Sequence, residues 1–158
     1  MVTVARYSFI QRFPVPAKRV YQWCTDFGST DHALMGDLNA RRKMARLNQG
    51  TIILTDTFHL PDGTIEKQKL VQLYPDQLFW VSTHLTGPNQ YSQFLYAIKP
   101  QGPDSSILEF TGVHLDYTDN EDADALAKRL RKEDSDAWKL LAKAMKLDLA
   151  LSNKLQKS

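Results

Sequence analysis

Apolar and polar positions alternate with a period of two from Val4 to Phe13, with Tyr7, Phe9 and Phe13 on one parity and Arg6, Ser8 and Arg12 on the other. That is the pattern of a half-buried strand. Pro14 and Pro16 end it, and the spacing of Val20, Trp23, Cys24 and Phe27 then predicts a helix from Pro16 to Phe27 that Gly28 stops. Proline is tolerated at such a start because the first N–H groups of a helix have no partner anyway. Ser29 or Thr30 can cap a second short helix over Asp31 to Met35, closed by Gly36.

From Arg41 the period returns to two. Strands are predicted at Arg41–Leu47, Thr51–Leu60, Thr64–Leu73, Leu78–Thr86, Ser92–Lys99 and Ser106–Tyr117, separated by turn-forming residues such as Asn48-Gln49-Gly50, Pro61-Asp62-Gly63 and Gly87-Pro88-Asn89. With the first segment this makes seven short strands on short turns, hence an antiparallel meander, since parallel neighbours need long crossovers. Thr118 to Glu121 has the form of a capping box. A helix running from there to about Leu151 gathers Ala123, Leu126, Leu130, Ala137, Leu141, Ala144 and Met145 on one face. That stripe must lie on the sheet.

A helix laid across a curved sheet leaves a hollow, and apolar hollows with a few polar groups are where small molecules bind. Composition narrows the alternatives. The length, 158 residues, fits one domain spanning the chain (1–158), with no repeat or flexible linker to divide it. A net charge of +2 is too small for a nucleic-acid footprint. The basic clusters Arg41-Arg42-Lys43 and Lys128 to Lys132 are expected to be solvated faces. Cys24 is the single cysteine, which excludes an intramolecular disulfide, suits a reducing cytoplasm and reads as a packed small hydrophobe. Arg6 and Arg12 interrupt the first apolar run, so neither a signal peptide nor membrane insertion is expected.

The passage from Phe9 through Phe13-Pro-Val-Pro16 and Val20-Tyr-Gln-Trp-Cys-Thr-Asp-Phe27 resembles the opening of the START-like, or SRPBCC, superfamily, which includes the Bet v 1-like pollen allergens and the polyketide cyclase/dehydrase group. The turn Tyr74-Pro75-Asp76-Gln77-Leu78 entering the aromatic Phe79-Trp80 is similar to a second feature of that superfamily, as is the long last helix. The resemblance implies an α+β helix-grip fold, a seven-stranded antiparallel sheet wrapped around the C-terminal helix, with a cavity between them. It implies a ligand among lipids, sterols, polyketides or plant hormones, in some members with cyclisation, dehydration or ring hydroxylation. The superfamily has no universal catalytic motif, so it assigns no catalytic residue here.

Particular residues stand out as candidates for the site. Asp56 interrupts the apolar face Ile52, Leu54, Phe58, Leu60, so it is a cavity acid with a raised pKa, an Asp at a bulge, or the partner of Lys67 or Lys69 on a neighbouring strand. Asp134 likewise falls inside the helical stripe, facing the cavity unless that half of the helix projects past the sheet. His84 and His114 sit on strands that flank the Tyr96 strand, with their inward faces undecided; His59 is expected to look outward. Trp80, Tyr91, Phe94, Tyr96, Phe110 and Trp138 are the aromatic candidates for a lining. No Ser-His-Asp nucleophile elbow, phosphate loop or paired-His motif occurs, and neither a metal nor another cofactor is called for. The expected ligand site is therefore Asp56, Trp80, His84, Phe94, Tyr96, Phe110, His114, Asp134 and Trp138, holding a hydrophobic or amphipathic molecule. The alternatives are a cyclase or dehydratase using a carboxylate with a histidine or tyrosine as acid and base, or an interaction domain whose cavity is filled.

Overall fold

The computed structural model of the chain describes residues 1–28, 39–118 and 120–157, the last six of these as backbone. The strands are β1 (Thr3–Phe13), β2 (Ala40–Asn48), β3 (Thr51–Leu60), β4 (Gly63–Tyr74), β5 (Phe79–His84), β6 (Gln93–Pro100) and β7 (Ser106–Asp116). Helix α1 (Ala17–Cys24) follows β1, and helix α2 (Ala123–Lys157) closes the chain. The strands form one antiparallel sheet in the order β1-β7-β6-β5-β4-β3-β2. The meander is continuous from β2 to β7, and β1 adds to its far edge. The expected short helix at 31–35 lies outside the described residues.

Burial alternates along β1, β3 and β5 and, with the buried residues of the other strands, identifies one inward face. Ala5, Tyr7 and Phe9 on β1, Leu108 and Phe110 on β7, Phe94 and Ile98 on β6, and Trp80, Ser82 and His84 on β5 are buried there. The faces left undecided by equally apolar parities are thus settled in favour of the His84 and His114 sides. On α2 the buried positions are Leu126, Trp138, Leu141 and Met145, with Leu130 and Ala137 half-buried between them. Ala123, expected in the stripe, is exposed at the helix start.

Several boundaries move for local reasons. Asp122, not Thr118, starts α2: its Oδ1 accepts from Ala125 N at 2.8 Å, and its carbonyl accepts from Leu126 N. The Thr118 backbone and hydroxyl both donate to Asp116 Oδ1 instead. Leu78, expected to open a strand, has φ +52° and ends a 3-10 turn over Pro75–Gln77, so β5 starts at Phe79. α1 stops at Cys24, before Phe27, which is buried with φ +49°. Its Trp23 Nε1 donates to Asp148 Oδ2 at 2.7 Å and joins the two helices.

Candidate functional site

Between the sheet and α2 lies a hollow of two chambers that share Lys69, Tyr96 and Trp138. The first, of about 150 Å³, is apolar for most of its wall: Trp23, Cys24 and Phe27 from the α1 side, Leu54, Val71 and Trp80 from the sheet, and Leu141 from α2. The second, of about 290 Å³, has Phe94, Phe110 and Leu130 on its walls but concentrates Tyr7, His84, Asn89, His114 and Asp134. Stacked rings partition the two. Trp80 and Tyr96 lie parallel with centroids 4.7 Å apart, and Trp138 tilts against Tyr96 at 5.8 Å.

In the polar chamber the Tyr7 hydroxyl donates a short hydrogen bond to Asp134 Oδ2, tying the edge strand β1 to α2. Burial pushes the Asp134 carboxyl up, with the Tyr7 bond opposing that rise, and burial beside Asp134 pushes the Tyr7 phenol up as well. Tyr7 reaches this position because its cross-strand partner is Gly112. A Cβ there would come within 2.9 Å of the tyrosine ring.

His84 is buried with its ring edge-on to Phe94 at 5.1 Å and Nδ1 3.0 Å from Asn89 Oδ1. Because an amide oxygen only accepts, Nδ1 carries the proton and Nε2 keeps its lone pair. Burial, reinforced by the Lys69 charge, lowers the His84 pKa to about 3, so the ring is neutral at pH 7. His114 is half-buried in the same chamber and is also lowered by burial. The chamber therefore brings together a carboxyl inclined to hold its proton and an imidazole that stays neutral.

At the chamber junction three charges meet. Asp56 is fully buried; Arg42 clasps it with Nε 2.7 Å from Oδ1 and a terminal nitrogen 3.0 Å from Oδ2, while Lys69 Nζ lies 3.2 Å from Oδ2. The strand register explains the choice of partners. Arg42 is directly opposite Asp56 on β2, and Lys67, directly opposite on β4, places its Nζ over the Phe58 ring at 5.3 Å, leaving Lys69 one diagonal step away to make the pair. Burial pulls Lys69 below the ordinary lysine range, against the pull of Asp56.

No protein-family sequence model matches the chain, and no curated protein matches it by sequence. Solved structures do match by shape. The aromatase/cyclase Zhui of a Streptomyces species superposes with TM-score 0.70 at 11% identity, covering 90% of this chain and 94% of that one. Norcoclaurine synthase from Thalictrum flavum gives 0.65 at 12% identity over 90% and 87%, and the protein Ara h 8.0201 gives 0.64 at 11% over 90% and 97%. The chain has the START-like (SRPBCC) fold. At these identities the likeness establishes the START-like architecture and leaves the chemistry to the residues themselves.

Within this START-like hollow, Trp80 lines the apolar chamber, Tyr96 and Trp138 both chambers, and His84, Phe94, Phe110, His114 and Asp134 the polar one. Asp56 lies behind the wall and acts on the hollow only through Arg42 and Lys69. Tyr91 does not line it: it is 60% exposed, at φ +69° in the β5–β6 loop. His59 is exposed, 3.3 Å from Thr64 Oγ1. Arg42, expected on a solvated face, points inward; its parity is that of Ala40, and pairing β2 with β3 would have revealed it. Tyr7, Lys69 and Asn89 also lie on the polar chamber, and Tyr7 was already marked by its inward parity. Among the described residues no group of three or more His, Cys, Asp and Glu could hold a metal ion, and no helix is long and apolar enough to cross a membrane.

Proposed function

We propose that the protein binds an amphipathic small molecule, lipid-like or polycyclic, in the hollow between the sheet and α2. One observation carries this reading: the hollow is divided by chemistry, with a tryptophan-lined apolar chamber opening into a chamber that holds Tyr7–Asp134, His84 and His114. A molecule with an apolar body and a polar end matches both halves, and small-molecule sites commonly pair an apolar wall with a few placed polar groups. The likeness in shape to norcoclaurine synthase, whose structure holds dopamine and hydroxybenzaldehyde, supports a hollow of this kind as a ligand site.

Native mass spectrometry of gently purified protein, followed by calorimetric titration with apolar aromatic probes, tests the reading. A co-purified small molecule, or saturable binding that is weakened by Trp80→Ala, is the expected result. Absence of both would overturn it.

A second reading, an acid–base enzyme of the cyclase or dehydratase sort, is favoured by the pairing of Asp134, whose pKa burial raises, with a neutral His84 in one chamber. It requires turnover of the bound molecule, lost in both Asp134→Asn and His84→Gln while binding persists.

A further inference from the structure

The hollow carries an unevenly compensated cation. Lys69 Nζ stands where the two chambers meet, on the wall of both, and its side chain is a fifth exposed. Among the described residues its one ionic partner is Asp56 Oδ2, and that oxygen already accepts from Arg42. An ammonium has three donors, and one carboxylate oxygen engages only one of them. The other two are left for whatever fills the hollow.

Among the described residues the remaining charge on the lining does not offset it, and Arg42, on the apolar chamber's wall, is a second cation. Asp134 is the carboxylate on the chamber walls among the described residues; its Oδ2 is taken by Tyr7, and burial holds the group toward its neutral form. His84 opposes Lys69 directly across β4 and β5, but as a neutral ring hydrogen-bonded to Asn89 it adds no negative charge. Around the junction the walls are aromatic, Trp80, Tyr96 and Trp138, so an ion pair formed there would be poorly screened by water.

We propose that the ligand is an amphipathic carboxylate, its anionic head seated on Lys69 at the junction and its apolar body among Trp23, Trp80 and Leu141. This rests on the binding reading above and adds the charge and position of the head group. A bound carboxylate would accept the donors that Asp56 leaves over and would return Lys69 toward full compensation. An alcohol of the same shape would gain a weaker hydrogen bond, and an amine would meet like charge.

Isothermal titration of the full chain with 2-naphthoic acid, 2-naphthylmethanol and 2-naphthylmethylamine separates these terms, because the apolar body is constant. The acid is expected to bind at least about tenfold tighter than the alcohol, with the amine weakest, as charge-assisted hydrogen bonds are about twice as strong as neutral ones. Lys69→Met should erase the gap between acid and alcohol, and Lys69→Arg should keep most of it. Equal affinity of all three probes would overturn the carboxylate assignment while leaving the binding site standing. A preference for the acid that survives in Lys69→Met would overturn the role of Lys69. No binding of any probe would overturn both readings. The ranking on the unaltered protein decides the head-group charge even if Lys69→Met fails to fold.

Discussion

Gly112 lies directly across the β1–β7 pair from Tyr7, and the tyrosine ring occupies the space where a side chain at 112 would stand. A Cβ built there would be 2.9 Å from Tyr7 Cζ, closer than a Cβ approaches another atom, and a tight 3.1 Å from Phe110 Cε1. A glycine inside a strand is otherwise unfavourable, and here it serves the close approach of another group. That approach carries the Tyr7 hydroxyl to Asp134.

Gly112→Ala is therefore expected to destabilise the fold by about 1–3 kcal/mol, the usual range for overpacking. Chemical denaturation measures this. The closest contacts are with the Tyr7 ring, so in a Tyr7→Ala background the same substitution should cost less, with only the Phe110 contact left; residues in contact show such coupling and distant ones do not. Equal losses in the two backgrounds would show that the ring is not the obstacle.

The Asp56 cluster predicts an asymmetry. Asp56→Ala leaves Arg42 and Lys69 facing each other beside an apolar chamber. Removing one member of a buried ionic group typically costs about 3–5 kcal/mol. Lys69→Met should cost less, since Arg42 still clasps the carboxylate through two nitrogens. Denaturation curves for the two variants give the order, and a Lys69→Met loss equal to that of Asp56→Ala would refute it.

How much of this was legible in the sequence follows from what sets each feature. Period-two alternation and turn residues located all seven strands because one face of the sheet is buried and the turns between strands are short. Asp56 and Asp134 stood out because a carboxylate inside an apolar stripe breaks the pattern on its own strand or helix. Their partners did not stand out, since Arg42 and Tyr7 are ordinary at their own positions and acquire meaning only from register. The inward faces of β5 and β7 were equally hidden: Phe79, Val81 and Leu85 are as apolar as Trp80, and only α2 decides which side is covered. Tyr91 misled for a related reason, as an aromatic residue next to a strand is core only if the strand includes it, and the chain there is still in the turn.

Stability should depend on pH through two buried groups of opposite sign. Asp134 has a raised pKa in the folded protein, so the native state holds its proton to higher pH than the unfolded chain does. Its contribution is present below the unfolded value and is lost as pH rises through the folded one. His84 is lowered to about 3, so the unfolded chain binds a proton there that the native state does not, and stability falls as pH drops from about 6.5 toward 3. Asp134→Asn should remove the first slope, and His84→Gln should reduce the second, leaving the share that His114, also lowered by burial, contributes with the same sign. Denaturation midpoints of the two variants and the parent across pH 3–8 separate the contributions, and an NMR titration should show the His84 ring neutral throughout pH 5–8. A His84 midpoint near 6.5 would contradict its buried, Asn89-bound state.

All three tryptophans of the chain, Trp23, Trp80 and Trp138, line the apolar chamber, and none is confined to the polar one. Trp23 and Trp80 therefore report on the apolar half alone, while Trp138 faces both chambers. Trp80 is 3% exposed and stacked on Tyr96, so its environment is already dry and should change little. Trp23 is only partly buried, its indole N–H held by Asp148, and it has the most water to lose. Filling the apolar chamber should thus shift the emission to shorter wavelength, and most of that shift should vanish in Trp23→Phe and remain in Trp80→Phe. A probe that binds by calorimetry without moving the emission would have to sit among Tyr7, His84 and Asp134 alone. That outcome would remove the apolar chamber from the binding site.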